Sequence, residues 1–295
     1  MQNVKQKNYL HLHFLVLIAG FTAILGKLIT MEAISLVWFR MVIASIIMFV
    51  YIKIKGVDLS ISKSSLLKLS LAGIVIALHW ITFFASIKLS NASIALAMFS
   101  TGAFFASILE PIIYKRKLIT YEILFGVLVI IGIYLIVRSE LDYILGMLLG
   151  ILSAFLSSLF AVLNGKFLEQ HSATKISFYE FISGVVFISI ILFFVEDNLN
   201  WSFFNLGIKN YGYLFILASI CTAYAFIASV YVMRFISPFT VVLTYNLEPV
   251  YGICLALFFF PETETMSSTF YFGAALILLT VLLNAIFKGK RKNIG

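Results

Sequence analysis

The stretch SLVWFRMVIASIIMF, residues 35–49, is apolar enough to lie in hydrocarbon, yet it carries a guanidinium, Arg40, near its middle. A membrane span needs about 20 mostly apolar residues to cross roughly 30 Å of hydrocarbon. The run around Arg40 meets that requirement, and so does most of the remaining chain. Of 295 residues 62% are hydrophobic and 12% charged, with a mean hydropathy of +1.07, far from the composition of a water-soluble domain. Cutting at the polar interruptions predicts ten spans, near 10–29, 33–52, 66–87, 90–113, 121–137, 143–163, 176–195, 211–233, 238–260 and 267–287. The fold class expected is an all-α integral membrane protein. The first span is too long for a secretory signal, lacks a small-residue cleavage pattern and is followed at once by another, so it is read as retained.

The formal net charge of +8 would suggest nucleic acid in a soluble protein; here its distribution over the loops decides. With ten spans both termini share one side, which collects Lys5, Lys7, Lys53, Lys55, Lys63, Lys68, Lys115, Arg116, Lys117, Lys166, Lys175, Arg234, Lys288, Lys290, Arg291 and Lys292. The other side holds Lys27, Lys88, Arg138 and Lys209. Sixteen against four predicts cytoplasmic termini in an inner, cytoplasmic membrane, with the lipid bilayer and not nucleic acid as partner. Cys221 and Cys254 stand among apolar neighbours without a second ligand at metal spacing, and read as packing residues. No metal and no cofactor is expected, and no GxxxxGK[ST] loop points to ATP.

The chain also repeats itself. GKL at 26–28 is answered by GKF at 165–167, Leu17 and Phe21 by Leu156 and Phe160, and WFR at 38–40 by FYE at 178–180. Further on, Leu71, Ala72, Ile74 and Ala77 match Leu217, Ala218, Ile220 and Ala223, and Ser90 and Gly126 match Ser237 and Gly273. Each pair is weak; their order along the chain predicts two five-helix repeats, 1–140 and 141–295. An odd number of spans inverts the second copy, and inverted repeats are a construction plan of secondary transporters, with a substrate site near the midplane. Arg40 then falls opposite Glu180.

Inserting Arg at a helix centre costs on the order of 2.5 to 3.5 kcal/mol on insertion scales, so Arg40 is expected to face the bundle interior. Its candidate partners are Glu180 and Glu248. It is either a structural clamp or a fork for a substrate carboxylate, and Glu180 either a site residue or an interfacial carboxylate. The segment LTYNLEPVYGI, 243–253, is the richest in polar groups. Pro249 has no N–H for the carbonyl of Tyr245, and Gly252 follows within a turn, so an opened helix is predicted there. Thr244, Tyr245, Glu248, Tyr251 and Gly252 share a helical face, with Asn246 elsewhere unless the helix unwinds. Glu248 beside freed carbonyls suits an ammonium group or a proton. Ser100, Thr101 and Gly102 form a weaker break in the fourth span, while Glu110, a turn from the membrane edge and followed by Pro111, reads as an interfacial ion-pair residue. His79, next to Trp80, is either a hydrogen-bonded packing residue or a proton relay, and Trp80 offers a face to a cation or an aromatic ligand. Trp38, Tyr179, Tyr224 and Tyr231 are candidates to line the same space.

The ten spans in two inverted halves, the arginine in the second span and the segment ISPFTVVLTYNLEPVYGICLALFFFPE before a Gly-containing last helix resemble the EamA family of the drug/metabolite transporter superfamily. The resemblance covers essentially the whole chain. It implies a midspan proline in the ninth span and a glutamate in the following loop, here Pro249 and Glu262. It also implies a central cavity lined by His79, Trp80, Tyr224, Asn246 and Glu248, with Arg40 at its edge or clamping helices. The first copy departs from the family pattern: Gly102 and Ala103 replace the midspan proline, and Lys115, Arg116 and Lys117 stand where a glutamate is common. The function implied is export of an amino acid, another metabolite or a drug-like solute by alternating access, with Glu248 available for proton coupling, in a monomer or weak homodimer. The alternatives are an integral-membrane enzyme, which needs clustered His, Asp or Cys or a Ser with a base, and a channel, which needs a filter motif or symmetric ring. No predicted span contains Asp and His79 stands alone, so an enzyme is not expected.

Overall fold

The computed structural model describes residues 2–115, 120–195, 201–232, 235–236, 241 and 244–292. Among these residues the regular structure is entirely helical. The helices are α1 (Gln2–Leu28), α2 (Ala33–Lys55), α3 (Lys63–Leu89), α4 (Ala92–Phe99), α5 (Gly102–Tyr114), α6 (Thr120–Ser139), α7 (Ile144–Phe167), α8 (Ala173–Val195), α9 (Trp201–Phe204), α10 (Gly207–Ala218), α11 (Ala225–Val232), α12 (Glu248–Phe259), α13 (Pro261–Glu264) and α14 (Ser268–Lys292). A 3₁₀ turn, Leu141–Tyr143, precedes α7, and a π-helical stretch, Ser219–Tyr224, joins α10 to α11.

Seven helical stretches among the described residues are long and apolar enough to cross a membrane. At the predicted fifth, ninth and tenth spans stand shorter apolar helices, Leu124–Ser139, Glu248–Phe259 and Ser268–Asn284. Arg116, Lys117, Arg234, Ser237 and Leu243 lie outside the described residues. Large apolar side chains face outward, Phe194 at 80% and Ile208 at 86% exposure, an arrangement that lipid tolerates and water does not.

Local chemistry sets the helix ends. Gly56 closes α2 in the left-handed region at φ 62°, its N–H returning to the carbonyls of Ile52 and Lys53. Ser62 and Asn91 cap α3 and α4 by accepting from Ser65 N and Ile94 N. In the fourth span the helix stops at Phe99 and restarts at Gly102, while the Ser100 and Thr101 hydroxyls donate back to Ala97 O and Met98 O. In the ninth, residues 246–247 form a turn, Leu247 N–H reaches only to Thr244 O, and Pro249 sits in the first turn of α12. A proline is tolerated there because its missing N–H has no partner to lose.

Helix packing is two-fold in pattern. The α3 helix packs on α7 and α8, as α10 packs on α2 and α11 on α1; α4 and α5 pack on α7, as α12 packs on α1. Gly252 is not a helix break, as the sequence suggested, but lies inside α12 where that helix crosses α1. A Cβ on Gly20 would stand 2.9 Å from Gly252 N, so the two backbones approach as only glycine permits. Cys254 is exposed on the outer face, and not a packing residue.

Candidate functional site

Arg40, 3% exposed, is held from three sides. Its Nε–H donates to Thr222 Oγ1 at 2.8 Å, and its guanidinium carbon lies 4.0 Å from the Trp80 ring centroid and 5.6 Å from that of Phe84. Nη1 is buried without a partner. Thr222 itself donates to Leu217 O, five residues back, which is the π-helical spacing. The π turn therefore aims a hydroxyl at Arg40. Among the described residues no carboxylate lies within ion-pair distance of the guanidinium, so Arg40 pairs directly with neither Glu180 nor Glu248. Glu248 is still near enough for its charge to act on Arg40.

Arg40 and Glu248 border one cavity of about 640 Å³. Ala19 and Thr22 of α1, His79, Trp80 and Phe83 of α3, Phe99 at the end of α4, and Cys221, Thr222, Ala225, Phe226 and Ser229 of the π turn and α11 wall it, with Tyr245 and Glu248 beside the ninth-span break. One face of α7 (Ser157, Phe160, Ala161, Asn164) with Leu168 just past its end, and one face of α8 (Ala173, Ile176, Ser177), carry the wall to the α7–α8 turn at His171 and Ser172. Leu168 and Ser172 are exposed at that turn, so the cavity wall reaches the surface there, at what is called the open end. His79 Nδ1 lies 3.0 Å from Ser153 O and 2.9 Å from Ser153 Oγ, and Ser153 Oγ lies 3.2 Å from His79 O; the tautomer protonated at Nδ1 donates to the Ser153 carbonyl and keeps Nε2 as the ring acceptor. The Tyr245 hydroxyl bonds Ser229 Oγ at 2.6 Å.

At the opposite end early and late parts of the chain are tied together. Glu264, 0% exposed, accepts from Ala92 N at 3.1 Å and Ser93 N at 2.8 Å, at the N-terminus of α4, and from Lys27 Nζ at 2.5 Å. Lys27 also lies 4.6 Å from the Phe260 ring. Beside this latch, Asn210 exchanges hydrogen bonds with Thr30, Lys88 Nζ donates to Ile29 O and Ser267 N to Glu140. The α1 helix runs from the open end to the latched end and α7 runs the reverse way. At the open end Lys175 reaches Asp58 at 3.3 Å and Ser60 O at 2.9 Å. Asp58, outside the helices, is held down to about 2 by hydrogen bonds from Ser60 and then by Lys175.

Of the residues singled out in the sequence, Arg40, His79, Trp80, Tyr245 and Glu248 come together at the cavity. Tyr224 does not: it is 40% exposed on the outer face, where its hydroxyl meets His11 Nε2. Asn246 lies in the turn before α12, away from the wall. Trp38 is engaged by Ser189 and Phe203, Tyr179 by Leu59 O, and Tyr231 faces outward. Glu180 is not interfacial but fully enclosed, with one contact at 3.4 Å from Asn164 Nδ2. The loop glutamate that does the tying is Glu264; Glu262 is exposed. Sequence reasoning missed Thr222, Ser153, Asn164 and Glu264. Of these only Asn164 carried a signal, an amide within an apolar helix beside the repeated GK.

The sequence model of the EamA-like transporter family matches residues 7–138 and again residues 144–286. The chain belongs to the EamA-like transporter family. It is therefore a multi-pass membrane protein of the drug/metabolite transporter superfamily. No curated protein matches this EamA chain significantly. A crystal structure described only as that of a protein shares the fold at a TM-score of 0.64 and 14% identity, over 94% of this chain and 97% of that one.

Proposed function

We propose that this EamA protein is a secondary transporter that exports a small metabolite, an amino acid or related compound, or a drug-like solute, by alternating access. The observation that carries the reading is a cavity open at one end, with ionisable groups deep within it, and latched at the other by Lys27, Glu264 and the start of α4. A gated channel needs one closure, whereas a carrier must exchange this latch for a closure at the opposite end, so that the two are never open together. In this reading the chain has ten spans in two inverted repeats, 1–140 and 141–295, with both termini and the open end cytoplasmic, as the loop charges favour.

Solute binding is assigned to Arg40, His79, Trp80, Tyr245 and Glu248. The apolar wall takes the body of the solute, Arg40 an anionic group and Glu248 a cationic group or a proton, a combination that suits a zwitterion. Thr101 and Pro249 mark the two helix breaks about which the halves rearrange. The test is counterflow in proteoliposomes preloaded with unlabelled solute: transient accumulation of label supports a carrier, simple equilibration a channel, and chemical change of the label an enzyme.

A further inference from the structure

A fully buried and poorly satisfied carboxyl group stands one layer behind the cavity wall. Ala173, Ile176 and Ser177 are the wall positions of α8, and Glu180 continues that face by one more turn. It is 0% exposed. Oε1 has no partner, Oε2 has only the 3.4 Å contact from Asn164 Nδ2, and Asn164 Oδ1 has no partner either. Asn164 in turn lines the cavity. Among the described residues no charged group on the helices packed around α8 forms an ion pair or hydrogen bond with Glu180: Arg40 of α2 bonds Thr222, His79 of α3 meets Ser153, and Lys68 of α3 and Lys166 of α7 make no ion pair with it.

An ionised carboxylate has room for about four hydrogen bonds and donates none. A buried one left with a single long contact is strongly disfavoured. A hard metal cation is a poor remedy, since it takes about six or more oxygens and three side-chain oxygens are gathered here. One proton on Glu180 is the donor that both orphaned acceptors lack.

We propose that Glu180, capped by Asn164, is a proton-binding site whose loading and release couple proton movement to solute movement through the adjoining cavity; this rests on the transporter reading. On release the carboxyl O–H bond breaks, the proton passes to cavity water and a carboxylate remains. Reloading from water at the other face reverses the step. Asn164 is the relay, because a solute group that draws its amide into the cavity strips Glu180 of its remaining partner.

Infrared difference spectra of the purified full-length protein over a pH titration test the site directly. A protonated-carboxyl C=O band should persist at neutral pH, disappear in Glu180→Gln and remain in Glu248→Gln; a wild-type spectrum unchanged by Glu180→Gln overturns the proposal. In proteoliposomes, with a mixture of radiolabelled proteinogenic amino acids as probe, an imposed pH gradient should drive accumulation in the wild type and in Glu180→Asp. In Glu180→Gln that accumulation should be lost and the pH profile of counterflow flat. Counterflow without any response to the gradient sinks the coupling and leaves the transporter reading standing, whereas no counterflow in the wild type sinks both.

Discussion

Replacing Glu264 by Gln should open the latched end. The carboxylate accepts from Ala92 N, Ser93 N and Lys27 Nζ in a fully buried position. Hydrogen bonds to a charged group contribute about 1.5–3 kcal/mol each and neutral ones about 0.5–1.5; with the Gln oxygen facing Lys27 and Ala92 those two contacts weaken by roughly 1 kcal/mol each, and the bond from Ser93 N is lost because an amide NH2 does not accept, at least about 3 kcal/mol in all. If the latch forms only when this end is closed, the ratio of closed to open forms falls about 100-fold, at 1.4 kcal/mol per factor of ten. Cys221, which lines the cavity, is the reporter, in a Cys254→Ala background. A membrane-impermeant maleimide applied from the latched side should label it slowly in the parent and much faster in Glu264→Gln. Lys27→Met should act in the same direction but less, because the two backbone donors keep their acceptor. Folded Glu264→Gln protein whose labelling from that side is unchanged would refute the gating role of the latch.

Arg40→Gln loses the bond to Thr222 and the contact with Trp80, and thermal unfolding in detergent should register a loss of roughly 3 kcal/mol; Arg40→Lys should not restore it, since an ammonium has neither the Nε–H that meets Thr222 nor a plane to stack on Trp80. Gly20→Ala forces a methyl within 2.9 Å of Gly252 N, backbone that cannot swing aside, and the same assay should show a loss of about 1–3 kcal/mol. Tyr245→Phe should raise the half-saturating solute concentration in counterflow, whereas Tyr224→Phe, on the outer face, should leave it unchanged. Because the Asp58 carboxyl is held at about 2, below the ordinary value of about 3.9, its contribution is present above the ordinary value and lost as pH falls through the folded one. The midpoint difference between wild type and Asp58→Asn should therefore be flat from about pH 5 to 8 and shrink only under strong acid.

The helical membrane fold was legible because apolar runs report their solvent directly, and because a buried Arg40 and a midspan Pro249 are costly enough to stand out. The internal match also survived in order, though a pair such as Ser90 and Ser237 carries almost nothing alone. What the sequence hid was set by geometry across helices. Thr222 reaches Arg40 only because the π turn rotates it there, and Asn164 meets Glu180 across the α7–α8 packing. Glu262 and Glu264 look alike in PETET, and only the fold decides which of them reaches the N-terminus of α4. Tyr224 was expected at the cavity from the family resemblance and Gly252 as part of a break because it follows Pro249 within a turn; which neighbour each one meets is set by helix packing, which neither signal reports.

The most direct test of the account is counterflow by the reconstituted wild-type protein, with the probe chosen by a ligand-dependent thermal-stability screen over amino acids, amines, organic acids and nucleosides, since a ligand of the native state raises the unfolding midpoint by mass action. A carrier should give a transient overshoot of the labelled stabilising solute in vesicles preloaded with its unlabelled form. Equilibration without overshoot, or a chemically altered label, would contradict it.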